Sequence, residues 1–145
     1  MRAASTGPAY GVDLNRNYAQ GWGGPGSSDR PASDIYRGPT PFSEPETKAI
    51  KKFIEDHDNV SVLLSFHSFS ELILYPWGNT DSPLPDERAR LAFETMAEEM
   101  SKWNDYRPMQ ASELYVASGD TCDWAWADHQ IFCFTFSRFS INNKF

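Results

Sequence analysis

An α/β fold, with a sheet flanked by helices, is predicted by two alternating signals along the chain. Apolar residues recur three and four positions apart over 44–57 and 86–103, the period of a helix with one buried face. The stretches 60–66, 71–75 and 131–139 are instead short apolar runs with the character of strands. Balance is the third observation: 145 residues with 40% hydrophobic against 23% charged side chains describe one folded domain, and no internal repeat divides it.

Residues 1–45 hold seven of the nine glycines and six of the ten prolines, densest at Gly21-Trp22-Gly23-Gly24-Pro25-Gly26, and are read as loop rather than helix or strand. Order begins at Ser43. Ser43 and Glu46 stand at capping-box spacing, Pro45 falls in the first turn, and Ala49, Ile50, Phe53 and Ile54 form an apolar stripe, so a helix is predicted over 44–57. Val60 to Phe66 is apolar and β-branched enough for a buried strand. After the short link His67-Ser68-Phe69-Ser70, Glu71 to Tyr75 is a second strand, stopped by Pro76-Trp77-Gly78. A proline-rich turn at 82–85 precedes Ala89, Ala92, Phe93, Met96, Met100 and Trp103, whose spacing predicts an amphipathic helix over 86–103. A short helix follows at 121–128. From Ile131 to Phe139 the chain alternates, with Phe132, Phe134 and Phe136 on one face and Cys133, Thr135 and Ser137 on the other.

A formal net charge of −7 repels phosphate backbones and anionic lipid, so nucleic acid and membrane surfaces are excluded as general partners. No apolar run approaches the roughly 20 residues of a spanning helix, and the N-terminus lacks the apolar core of a signal peptide. Two cysteines, Cys122 and Cys133, allow at most one bridge and leave the redox compartment open.

Three places carry more polar specificity than a fold requires. At Asp13-Leu14-Asn15-Arg16-Asn17 a guanidinium flanked by amides has the donors to grip a carboxylate, although a surface arginine paired with an acid has the same local sequence. His67 follows an apolar strand, where an imidazole can meet a metal or simply bond to backbone. Tyr115 stands in a loop from which a phenol can reach over a substrate or merely pack.

Their wider wording separates these readings. Gly11-Val12-Asp13-Leu14-Asn15-Arg16-Asn17-Tyr18, Ser33 to Gly38, Pro41 to Thr47, Phe66-His67-Ser68-Phe69-Ser70-Glu71 through Gly78, and Leu114-Tyr115-Val116-Ala117-Ser118-Gly119-Asp120 through Asp123-Trp124 to Phe134-Thr135-Phe136 closely resemble zinc carboxypeptidases of the carboxypeptidase A and T type. The similarity covers about 10–136, and 137–145 do not resemble the family. It implies a mixed sheet in a carboxypeptidase-like α/β/α sandwich, incomplete at both ends, with 1–145 a partial peptidase catalytic domain. It also implies that Asn15, Arg16 and Tyr115 hold the terminal carboxylate of a peptide or protein, that His67 is a zinc ligand, and that Phe69 occupies a subsite often held by tyrosine. Cys122 would floor the pocket for the last side chain, with Asp120 nearby, favouring apolar or aromatic C-termini and leaving room for a basic one.

Two expected parts are missing from the wording. None of His57, His67 and His129 is followed by glutamate three residues on, so the family's His-x-x-Glu pair is absent. The strand that ends in the family's general-base glutamate reads Phe134-Thr135-Phe136-Ser137 here, at unchanged spacing from Tyr115. Hence the expectation is a fragment of a secreted, zinc-dependent metallocarboxypeptidase that is itself inactive, with zinc weak or absent in this chain. The alternative is a non-catalytic pseudoenzyme that binds C-terminal carboxylates.

Overall fold

The computed structural model describes residues 11–68 and 70–138. Its regular elements are α1 (Pro45–Glu55), β1 (Val62–Ser68), β2 (Leu72–Tyr75), α2 (Glu87–Ser101), β3 (Arg107–Gln110), α3 (Ala111–Leu114), α4 (Thr121–His129) and β4 (Phe132–Arg138). The four strands form one mixed sheet in the order β1-β4-β2-β3, with β1 parallel to β4, β4 antiparallel to β2, and β2 parallel to β3. This is the mixed, helix-flanked sheet that the sequence predicts.

The alternation in β4 builds the two faces. Cys133 joins Tyr18, Ile54, Trp124, Ala125 and Ile131 in one core, covered by α1 and α4. Phe134 joins Ile73, Phe93, Ala97 and Trp126 in the other, beneath α2. Phe93 makes ring contacts with Phe132, Phe134, Tyr75 and Trp126, which fixes α2 across the sheet. Asp86 caps α2 by accepting the amides of Arg88 and Ala89.

Several expectations change. The capping box at Ser43 does not form: Glu44 is the N-cap, and the Ser43 hydroxyl bonds to the Glu44 carboxylate while accepting from Asn17. The first strand begins two residues later than predicted and runs through His67 and Ser68, so these are strand, not link. Nor is it buried on both faces: Val62, Leu64 and Phe66, on the face beside Phe132, Phe134 and Phe136, are 44%, 44% and 64% exposed. Trp103 lies beyond the end of α2 and is 90% exposed, not part of the buried stripe. Within the predicted N-terminal loop, Leu14–Arg16 form one 3-10 turn and Ser28 bridges Tyr36.

Candidate functional site

A cavity of about 160 Å³ opens at the ends of the parallel strands β1 and β4, and Asn15, Arg16, His67, Tyr115, Asp120, Cys122 and Ser137 all line it. The structure thus brings together seven of the eight residues singled out from sequence. The eighth, Phe69, lies outside the described residues.

Parallel register places His67 directly opposite Ser137. Ser137 is buried in mid-sheet, its carbonyl accepting the Glu71 amide. His67 is pushed below the ordinary imidazole range, chiefly by burial and further by the Arg16 charge, which favours the neutral ring. Its Nε2 lies 3.2 Å from the Ser65 hydroxyl.

The 3-10 turn sets Asn15 and Arg16. The Asp13 carboxylate caps it by accepting the Asn15 amide at 3.0 Å. Arg16 is only 6% exposed; its Nε donates to the Gly26 carbonyl at 2.8 Å and its Nη1 to the Asn15 carbonyl at 2.7 Å. The surface-arginine reading is therefore wrong, but so is a fully open fork, because part of the donor set holds the guanidinium in place. Gly26 makes the first bond possible: its φ is +72°, and a Cβ there would collide with the Val116 carbonyl. Tyr115 ends α3 as its C-cap, with the Arg16 guanidinium 5.9 Å from its ring centre, and its side chain is exposed at the cavity mouth.

At the other wall, Asp120 caps α4 by accepting the amides of Cys122 (2.7 Å) and Asp123 (2.9 Å). Asp123 is fully buried and accepts the Gly78 and Asn79 amides at 2.8 and 2.9 Å, tying the turn after β2 to α4. Burial raises both carboxyls, and the neighbouring Asp120 helps carry Asp123 to about 8. Cys122 is not a free thiol: it is bonded to Cys133 and lies 3.5 Å from the Thr135 hydroxyl. The cavity is therefore lined by one half of a disulfide.

Sequence reasoning missed Asp123, Thr121 and Thr135 as site residues. The Asp120-x-x-Asp123 spacing at a helix start was a usable signal, since carboxylates gather in first turns. Nothing in the sequence marked Asp123 as buried.

For zinc, the fit is poor. Among the described residues no group of three or more His, Cys, Asp or Glu side chains is placed to hold a metal, and His67 alone would offer one ligand where a catalytic site needs about three.

A family model described as zinc carboxypeptidase matches residues 1–140. Carboxypeptidase A5 of Macaca fascicularis is 40% identical over 131 residues, which is 87% of this chain and 30% of that protein. Carboxypeptidase A1 of Mus musculus is 38% identical over 131 residues, 87% of this chain and 31% of that protein. The crystal structure of carboxypeptidase A from Helicoverpa armigera superposes with a TM-score of 0.84 at 30% identity, covering 99% of this chain and 37% of that one. Bovine thrombin-activatable fibrinolysis inhibitor, solved in complex with tick carboxypeptidase inhibitor, gives a TM-score of 0.81 at 31% identity, covering 99% and 51%. The chain spans about 30% of the length of the curated relatives it matches.

Proposed function

Because this chain belongs to the zinc carboxypeptidase family, we propose that it is part of the catalytic domain of a metallocarboxypeptidase that removes C-terminal residues from peptides and proteins. Within that reading, its own residues bind the substrate's end. The observation that carries the proposal is the buried Arg16 guanidinium held beside Asn15 in a cavity whose mouth is bordered by Tyr115. A buried arginine held by carbonyls, whose ion pair among the described residues is a long one to Asp13 at 4.0 Å, is well suited to a carboxylate ligand.

The proposal extends to specificity. Cys122, bonded to Cys133, and Thr135 line the cavity, which supports a preference for an apolar or aromatic last residue. Asp120 leaves less room for a basic one than its position suggests, because its Oδ1 is already committed to capping α4 through the amides of Cys122 and Asp123. A disulfide also supports secretion of the intact protein.

The chain alone is proposed to be inactive. His67 brings one metal ligand, and Ser137 stands where a general base would act. A serine hydroxyl near neutral pH does not accept a proton from water as a tuned carboxylate does, and loss of one general base costs about 10²–10⁴-fold. The alternative, a non-catalytic pseudoenzyme, keeps Asn15, Arg16 and Tyr115 for the same carboxylate grip and differs in not being part of a cutting enzyme. Assay of a blocked dipeptide ending in phenylalanine, with added zinc, is expected to show no turnover above blank. Chelator-sensitive hydrolysis would overturn the inactivity.

A further inference from the structure

We propose that Thr121 is a positioning residue that fixes the amide of Asn15 so that it presents hydrogen-bond donors, not acceptors, to a ligand in the cavity. This rests on the carboxylate-binding reading above and assigns a new role within it.

An asparagine amide is nearly symmetric in shape, so its local partners decide which end faces a ligand. Here both partners come from the first residue of α4. The Thr121 backbone amide donates to Asn15 Oδ1 at 3.1 Å, and the Thr121 hydroxyl lies 3.1 Å from the same oxygen. Two donors occupy the two lone pairs of that oxygen, and flipping the amide would set N–H groups against N–H and O–H groups. Among the described residues Nδ2 makes no hydrogen bond, so the donor end of Asn15 is left for the cavity that it lines.

The helix start is arranged for this. The amides of Cys122 and Asp123 go to the Asp120 cap and that of Trp124 to the Asp120 carbonyl. The first amide of a helix has no partner inside the helix, and here it is spent on Asn15. A donor-presenting Asn15 accepts a carboxylate and disfavours a C-terminal amide, whose NH2 would face it donor to donor.

The test is a graded series on the full chain, read by NMR titration with N-acetylphenylalanine and N-acetylphenylalaninamide. Wild type and Thr121→Ser, which keeps both donors, are expected to prefer the acid equally. Thr121→Val removes the hydroxyl and is expected to narrow the acid-over-amide ratio several-fold, roughly the worth of one hydrogen bond. Thr121→Pro removes both donors at a position where proline suits a helix, after a residue already in the extended conformation that proline requires, and is expected to narrow the ratio about tenfold or more. A purely structural defect would weaken both ligands together and leave their ratio unchanged. If wild type itself does not prefer the acid, the carboxylate-binding reading fails. If wild type prefers it and the valine and proline variants prefer it as strongly, that reading stands and the role of Thr121 is overturned.

Discussion

Adjacent residues of one turn divide their work between site and fold. Arg16 faces the cavity, while Asn17 is fully buried behind it, donating to the Arg37 and Thr40 carbonyls and accepting from the Thr47 hydroxyl at 2.7 Å. Asn17 thereby pins the start of α1 to the turn that carries Asn15 and Arg16. The carboxyls on the opposite wall give a pH dependence. Asp123 is raised to about 8 in the folded chain, first by burial and then by the charge of Asp120. A raised carboxyl binds its proton more tightly folded than unfolded, so its contribution to stability is full below about pH 4 and is lost as pH rises through about 8. Asp120→Asn keeps a capping side chain but removes the neighbouring charge. Urea unfolding followed by tryptophan fluorescence is expected to show wild-type stability falling between pH 5 and pH 8, with a smaller fall in the variant. Equal falls in both would mean that Asp120 does not act on Asp123. At this scale the sequence named most of the right side chains but not their partners, since burial of Asp123 and saturation of Asn15 Oδ1 depend on contacts 44 to 106 positions apart.

Elements with a strong period were legible. α1, α2 and β4 fall within two residues of their expected limits, and the β4 alternation assigned its faces correctly; α4 also falls where expected, although its apolar residues are spread all round the helix. The elements that were missed have no period to read. β3 is Arg-Pro-Met-Gln, an edge strand among the described residues, where a proline is tolerated because the unpaired side needs no ladder bonds, and α3 is a single turn. The disulfide was legible only as a possibility. It joins the first turn of α4 to the buried face of β4 across 11 residues. Closing a loop of that length in the unfolded chain is worth about 3 kcal/mol on the chain-entropy view. The Cys122→Ser, Cys133→Ser double variant is therefore expected to unfold at lower urea, with stability reduced by about that amount. A change within about 0.5 kcal/mol would show that α4 and β4 are held by packing alone.

At the scale of the molecule, one side of the sheet carries exposed apolar side chains among the described residues. Phe93 of α2 packs on β2 and β4, while Val62, Leu64 and Phe66 of β1 are 44%, 44% and 64% exposed beside the aromatic row of β4. Among the described residues β1 is also an edge strand with one side unpaired. An apolar edge with no proline and no charge from Val62 to Phe66 is the kind of surface that recruits another strand. In solved relatives of which this chain covers 37% to 51%, there is further chain available to occupy such a face; the isolated chain has only other copies of itself. Light scattering across a concentration series is expected to show growing association of the wild type. Leu64→Lys places a charge on the exposed face without entering either core and is expected to suppress it. Trp103→Lys, at the more exposed but isolated tryptophan beyond α2, is expected to leave association unchanged. That pairing separates edge recruitment from general stickiness: suppression by both substitutions would point to exposed apolar area alone, and a wild type that stays monomeric would mean that the β1 face is not adhesive.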